Sequence, residues 1–149
     1  MQQYFGTVLF LSETDKETLL PIISDLQQKY CNQPPFEPHI TIYHATKASN
    51  LAEAVERISR ATAQTKSFTV ESEGFDYGDF WAQILYIKIK PNQILNSIRT
   101  GIEKGLGNIS SRPYTPHISL MYKDELSIFE RDKIIGSLNI SKTYTVKGV

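Results

Sequence analysis

The chain contains one short stretch twice. Residues 35–42 read PFEPHITI and residues 113–120 read PYTPHISL. The two copies align without a gap, 78 residues apart (39 to 117). Pro35 matches Pro113, Phe36 matches Tyr114 and Pro38 matches Pro116. His39 matches His117, Ile40 matches Ile118, Thr41 matches Ser119 and Ile42 matches Leu120. The helices and strands expected around the copies also correspond roughly in order. Such a duplication predicts two similar halves whose copies face one another across a local twofold axis.

On a strand, side chains alternate between faces with period two. His39 and Thr41 then share one face, with Ile40 and Ile42 on the other, and His117 and Ser119 stand likewise against Ile118 and Leu120. The aliphatic face belongs under helices as core. Two such strands side by side would line a cleft with two imidazoles and two hydroxyls. By the same parity Tyr43 joins the cleft wall, and His44, the third histidine, faces away in a structural or surface role.

The rest of the chain interleaves strands and helices. Tyr4 to Leu11 is aromatic and β-branched and reads as a buried strand. Ser12 with Asp15, and Thr14 with Glu17, offer capping-box spacing, but Pro21 places the helix start near Thr18, because proline is tolerated only in a first turn. Asn32 to Pro38 is a proline-rich loop and Glu37 to His44 a strand. Asn50 and Glu53 open a second helix, Phe68 to Phe75 is a strand, and Asp76 to Phe80 is a turn or flap around Gly78. Trp81 to Ile89 reads as a strand. Pro91 and Asn92 begin a third helix that Gly105 and Gly107 stop. Ser110 to Pro116 is a loop, His117 to Tyr122 a strand, Ser127 and Glu130 cap a fourth helix ending near Gly136, and Thr143 to Val149 is a last strand. This order predicts an α+β or α/β sheet with helices packed outside.

At 149 residues the chain reads as one domain, 1–149. Lys and Arg number 16, Asp and Glu 16. A neutral domain lacks the basic face that grips long nucleic acid, while a small anionic ligand held by local groups remains compatible. The single cysteine, Cys31, forms no internal disulfide and no thiolate metal site, which points to a reducing compartment. Neither a signal-peptide pattern nor an apolar run of membrane-spanning length occurs, so the expected location is the cytoplasm and no membrane partner is expected.

Two imidazoles flanked by two hydroxyls suit phosphodiester hydrolysis. In-line displacement at phosphorus puts the attacking water and the leaving oxygen on opposite sides. One imidazole takes a proton from water while the other gives one to the leaving oxygen; histidine titrates near working pH and serves both tasks. Thr41 and Ser119 can donate to the non-bridging oxygens. A zinc site needs a ligand set the chain does not offer: it has three histidines, no H-E-x-x-H and no thiolate cluster. No metal and no cofactor are expected.

The paired stretches Pro38-His39-Ile40-Thr41 and Pro116-His117-Ile118-Ser119 resemble the two H-x-[ST] motifs of the two-histidine (2H) phosphoesterase superfamily. Phe36 to Thr41 and Pro113 to Tyr122 are most similar to its plant and yeast cyclic phosphodiesterase branch. The resemblance implies an α+β, bilobal fold in which two pseudo-symmetric antiparallel sheets line a central cleft with helices outside. It implies metal-independent hydrolysis of nucleoside 2′,3′-cyclic phosphates or ADP-ribose 1″,2″-cyclic phosphate, with His117 as base and His39 as acid, although near-symmetry would permit the swap. Tyr122 matches a site tyrosine of that family. Parity sets Tyr122 on the far face, so a bend or bulge after Leu120 is required if it contributes. The resembling proteins run on past the last strand, whereas this chain stops at Val149, so it is either trimmed or short.

Tyr77, Phe80 and Trp81 beside a Gly-bearing turn are candidates to stack a nucleobase, with burial of Trp81 in the core as the competing reading. The expected substrate is a small cyclic-phosphate nucleotide, with no long nucleic acid, and a monomer is expected. RNA-end processing or 2′-5′ phosphodiesterase activity, and a nucleotide-binding module without turnover, are the alternative functions.

Overall fold

The computed structural model describes residues 3–48, 51–107 and 113–148. Its strands are β1 (Gln3–Phe10), β2 (His39–Ala48), β3 (Phe68–Asp76), β4 (Leu85–Ile89), β5 (His117–Met121) and β6 (Thr143–Val146). The helices are α1 (Glu13–Leu26), α2 (Leu51–Thr62), α3 (Gln93–Leu106) and α4 (Ile128–Ser137). The fold is α+β. All strand pairs are antiparallel, in the order β1-β2-β5-β4-β3-β6. The two edges meet: Leu11 bridges Val146, Ser12 N donates to Thr145 O at 2.8 Å, and Lys147 N donates to Phe10 O at 2.9 Å. The sheet therefore curls back on itself.

The resemblance implied two sheets; the strands instead form one. The duplication survives within it as two strand–helix–strand units, β1-α1-β2 and β4-α3-β5. The units join where β2 pairs with β5, and the Cα partners there are Ile40 and Ile118. These are equivalent residues of the repeat, so the local twofold relating the two strands passes between them.

Helix packing follows the apolar spacing. Leu19, Ile23 and Leu26 of α1, and Leu95, Ile98 and Ile102 of α3, fall on one face of each helix and are buried. The packing is crossed, with α1 on β5 and α3 on β2, while α2 covers α3. Each helix therefore braces the motif strand of the other unit. Ile40, Ile42, Ile118 and Leu120 are all 0% exposed beneath them.

Three local details differ from the expectation or add to it. First, α1 begins at Glu13, not near Thr18: the Ser12 side chain accepts from Asp15 N at 3.3 Å and caps it. Pro21 is carried inside the helix, where it leaves one carbonyl without its usual helical donor. Second, α1 runs on into a π turn, Gln27–Cys31, which Asn32 ends in the left-handed region at φ 49°. Third, Trp81–Gln83 is a single 3-10 turn, and the strand expected from Trp81 begins at Leu85. The caps of α3 and α4 are as expected. Asn92 accepts from Ile94 N and Leu95 N, Gly107 ends α3 at φ 68°, and Ser127 with Glu130 closes a capping box. Asn50, Ser110 to Arg112 and Val149, to which the sequence reading gave roles, lie outside the described residues. Among the described residues no helix is long and apolar enough to cross a membrane.

The central pair sets a clear contrast in stability. Ile118→Ala, at a fully buried site, should cost about 2–5 kcal/mol in urea denaturation. Phe129→Ala, at 78% exposure on α4, should stay within about 0.5 kcal/mol.

Candidate active site

The repeat holds its two histidines in the same way. His39 Nδ1 lies 2.7 Å from the Glu37 carbonyl oxygen, and His117 Nδ1 lies 2.9 Å from that of Thr115. A carbonyl oxygen only accepts, so each Nδ1 carries the hydrogen and donates it. Nε2 is then the basic nitrogen of both neutral rings. Pro38 and Pro116, both buried, stand between the accepting carbonyl and the ring. Their fixed φ helps set the tight return from residue 39 to 37 and from 117 to 115.

Register brings the four motif side chains together. Continuing the Ile40–Ile118 pairing one residue each way sets His39 opposite Ser119 and Thr41 opposite His117. Opposed residues of an antiparallel pair share a face, with Cβ atoms about 4.5–5.5 Å apart. The imidazoles thus occupy one diagonal of a square and the hydroxyls the other. His39, Thr41 and His117 are half-buried, and Ser119 is 6% exposed. Ser119 Oγ donates to Ala82 O at 2.6 Å, so its proton is held by the backbone. Across the strands, the Tyr114 hydroxyl donates to Thr41 O at 2.9 Å.

Both motif strands carry a bulge at the same repeat position. Between the pairs Thr7–Tyr43 and Val8–Thr41, β2 spends one extra residue, Ile42. Between Leu85–Met121 and Tyr86–Ser119, β5 spends one extra residue, Leu120. A bulge reverses the alternation beyond it. Tyr43 is therefore 3% exposed in the core, and the expectation that it lines the cleft is corrected. His44 is exposed instead and turns to the side of His39, contrary to simple parity. In the second copy Met121 is buried and Tyr122 emerges, its hydroxyl 3.4 Å from His39 Nε2. The bulge that Tyr122 required is present.

Aromatic rings gather on the His39 side. Phe36 stacks on Tyr122 with centroids 4.1 Å apart, and Trp81 meets Tyr122 edge-on at 5.1 Å. Trp81 is 49% exposed, which answers the question of its burial. Phe80 follows at 5.7 Å from Trp81. His117 instead has Tyr86 at 5.1 Å. On α3 the Arg99 guanidinium lies 4.7 Å over the Tyr114 ring. Sequence parity missed Phe36, Tyr86 and His44. The repeat itself held a signal for Phe36 and His44, which occupy the positions of Tyr114 and Tyr122.

The two halves differ electrostatically. Burial pushes the His117 pKa below the ordinary histidine value; the Thr115 bond opposes this, and the charges of His39 and His44 add to it. Burial, Arg99 and His39 lower His44. Burial raises the Tyr122 hydroxyl, which stays protonated and able to donate. Among the described residues no three His, Cys, Asp or Glu side chains converge as a metal site.

A curled antiparallel sheet bearing paired H-x-[ST] strands about a local twofold defines a two-histidine phosphoesterase architecture. The chain belongs to the 2′-5′ RNA ligase superfamily, whose sequence profile matches residues 6–146. It is similar to a 2′,3′-cyclic-nucleotide 3′-phosphodiesterase of Kluyveromyces lactis, 28% identical over 123 residues that cover 72% of this chain and 58% of that relative. It is also 24% identical over 139 residues to a protein of Oceanobacillus iheyensis whose name proposes a phosphoesterase; that match covers 91% of this chain and 79% of the relative. Among solved structures it is similar to E. coli LigT complexed with 3′-AMP, with a TM-score of 0.54 and 17% identity, over 97% of this chain and 83% of that one. At that identity the likeness carries the fold.

The depressed histidines make stability pH-dependent. The folded chain takes up a proton at His117 and His44 less readily than the unfolded chain. Unfolding should therefore become easier as pH falls below about 6.5. His117→Gln should flatten that slope when melting temperature is followed from pH 7.5 to 5.

Proposed function

We propose that this chain opens nucleoside 2′,3′-cyclic phosphates by paired-histidine acid–base catalysis. The observation that carries the reading is the matched pair of imidazoles, each held through Nδ1 on the carbonyl two residues before it. The name of the Kluyveromyces relative supports the substrate class. The balanced charge of the chain fits a small ligand held by local groups.

His117 is the base. Its depressed pKa keeps it neutral near pH 7, so Nε2 accepts a proton from the attacking water. The water oxygen bonds to phosphorus as the P–O3′ bond breaks. His39 is the acid, and its Nε2 proton goes to the departing O3′. The product is a nucleoside 2′-phosphate, matching the ester that the relative's name specifies. Solvent then returns the proton from His117 and reloads His39. Thr41 donates to a non-bridging oxygen. Ser119 joins it only after turning off Ala82 O, so Thr41→Ala should impair turnover more than Ser119→Ala. The base stacks on the Trp81 and Tyr122 side, where one aromatic contact contributes about 1–3 kcal/mol. ADP-ribose 1″,2″-cyclic phosphate presents the same strained ester and is a second substrate to try. The superfamily's name adds a 2′-5′-linked dinucleotide as a third.

The test is ³¹P NMR of 2′,3′-cyclic AMP with the protein and excess EDTA. The expected product is adenosine 2′-phosphate, formed at an unchanged rate with chelator. His39→Ala and His117→Ala should each lower kcat by about 10²–10⁴-fold, the double variant little more than either. A substrate with a far better leaving group should rescue His39→Ala alone. Near wild-type turnover by His39→Ala would overturn the mechanism, as would activity lost to EDTA and restored by a divalent metal.

A further inference from the structure

Gln27 lies at the start of the π turn that interrupts the run from α1 to the His39 loop. Its side chain is polar yet 1% exposed. Gln27 Oε1 accepts from Tyr122 N at 2.9 Å, and Gln27 Nε2 donates to Pro34 O at 3.4 Å. Its backbone carbonyl also accepts from Gln33 N at 3.2 Å. One residue thus ties down two segments distant in sequence: the end of β5 just past its bulge, and the loop that leads to His39. Between those segments lies the contact of the Tyr122 hydroxyl with His39 Nε2, backed by Phe36 stacked on Tyr122.

π turns inside helices often mark functional positions, because the widened turn redirects side chains and frees backbone groups. Here the turn carries the chain from Gln27 to the αL residue Asn32. Among the described residues the other half shows no such device. The position equivalent to Gln27 in the repeat is Gly105, which has no side chain, and α3 ends in an ordinary glycine cap at Gly107. The buried amide serves only the half that contains the Tyr122–His39 contact.

We infer that Gln27 is the positioning residue of the acid half of the site: its buried amide fixes Tyr122 and the run-in to His39 together, and so sets His39 Nε2. The Tyr122 hydroxyl donates to Nε2 of the neutral ring, and the contact fixes where that nitrogen stands. The inference rests on the proposed role of His39 as acid.

Gln27→Met keeps the side-chain length and removes both amide atoms. It should lower kcat by about 10- to 100-fold, the scale expected when a reacting group is misplaced, with KM little changed. The Tyr122 amide hydrogen should exchange faster, and Tyr122→Phe should likewise lower kcat with KM little changed. In the Tyr122→Phe background Gln27→Met should cost little more, since residues acting through one contact are not additive. Gln27→Glu retains the oxygen that accepts from Tyr122 N and should keep most of kcat. Wild-type kcat in Gln27→Met would overturn the inference, as would a loss that is undiminished in the Tyr122→Phe background. If Gln27→Met does not fold, Gln27→Asn takes its place, because it withdraws the amide by one methylene; equal activity of the Glu and Asn variants would then overturn it. His39→Ala separates the two levels. Full activity there refutes the acid role itself, whereas an inactive His39→Ala beside a fully active Gln27→Met refutes only the role of Gln27.

Discussion

Everything in the candidate site depends on one antiparallel pairing, Ile40 against Ile118. Because these are equivalent residues of the repeat, the pairing superimposes a local twofold on the motif strands. That symmetry puts a histidine beside the partner strand's hydroxyl on both sides. It also explains the crossed packing, in which α1 covers β5 and α3 covers β2. Burial of both isoleucines pins the register, since a slip of one residue would drive the imidazoles into the core and the aliphatic side chains to the surface.

The architecture is twofold, but the proposed chemistry requires two different histidines. The difference arises in the positions that the repeat leaves unmatched. His117 sits beside Tyr86 and feels the charges of His39 and His44, and burial holds it toward the neutral form. His39 has the Tyr122 hydroxyl at Nε2 and a cluster of Phe36, Tyr122 and Trp81 around it. Gln27 against Gly105, and Tyr122 against His44, extend the same contrast. In this reading a duplicated frame supplies two interchangeable imidazoles, and their surroundings assign one to accept a proton and the other to donate it.

Much of this is legible in the sequence because the repeat is so constraining. His39, Thr41, His117 and Ser119 follow from alternation alone, and the caps at Asn92, Gly107 and Ser127 from local hydrogen-bonding chemistry. Parity fails where the strands bulge. Ile42 and Leu120 are ordinary strand residues with no glycine to flag the extra residue, so Tyr43 was expected at the surface of the site and His44 away from it. The π turn is equally silent, and the bonds its first residue makes are tertiary: the Gln27 amide is satisfied by Tyr122 and Pro34, the first 95 residues away. Pro21 misled in the opposite direction. Its missing N–H argued for a late helix start, but the Ser12 cap and the burial of Leu19 and Ile23 hold α1 from Glu13.

The central claim is that both imidazoles offer Nε2 to one phosphate. Ring-nitrogen NMR of the ¹⁵N-labelled chain, free and saturated with adenosine 2′-phosphate, tests it most directly. The account predicts Nδ1–H in both neutral rings of the free chain and a shift at Nε2 of both His39 and His117 when the ligand binds. A neutral ring with its hydrogen on Nε2, or a ligand that moves only one of the two rings, would contradict it.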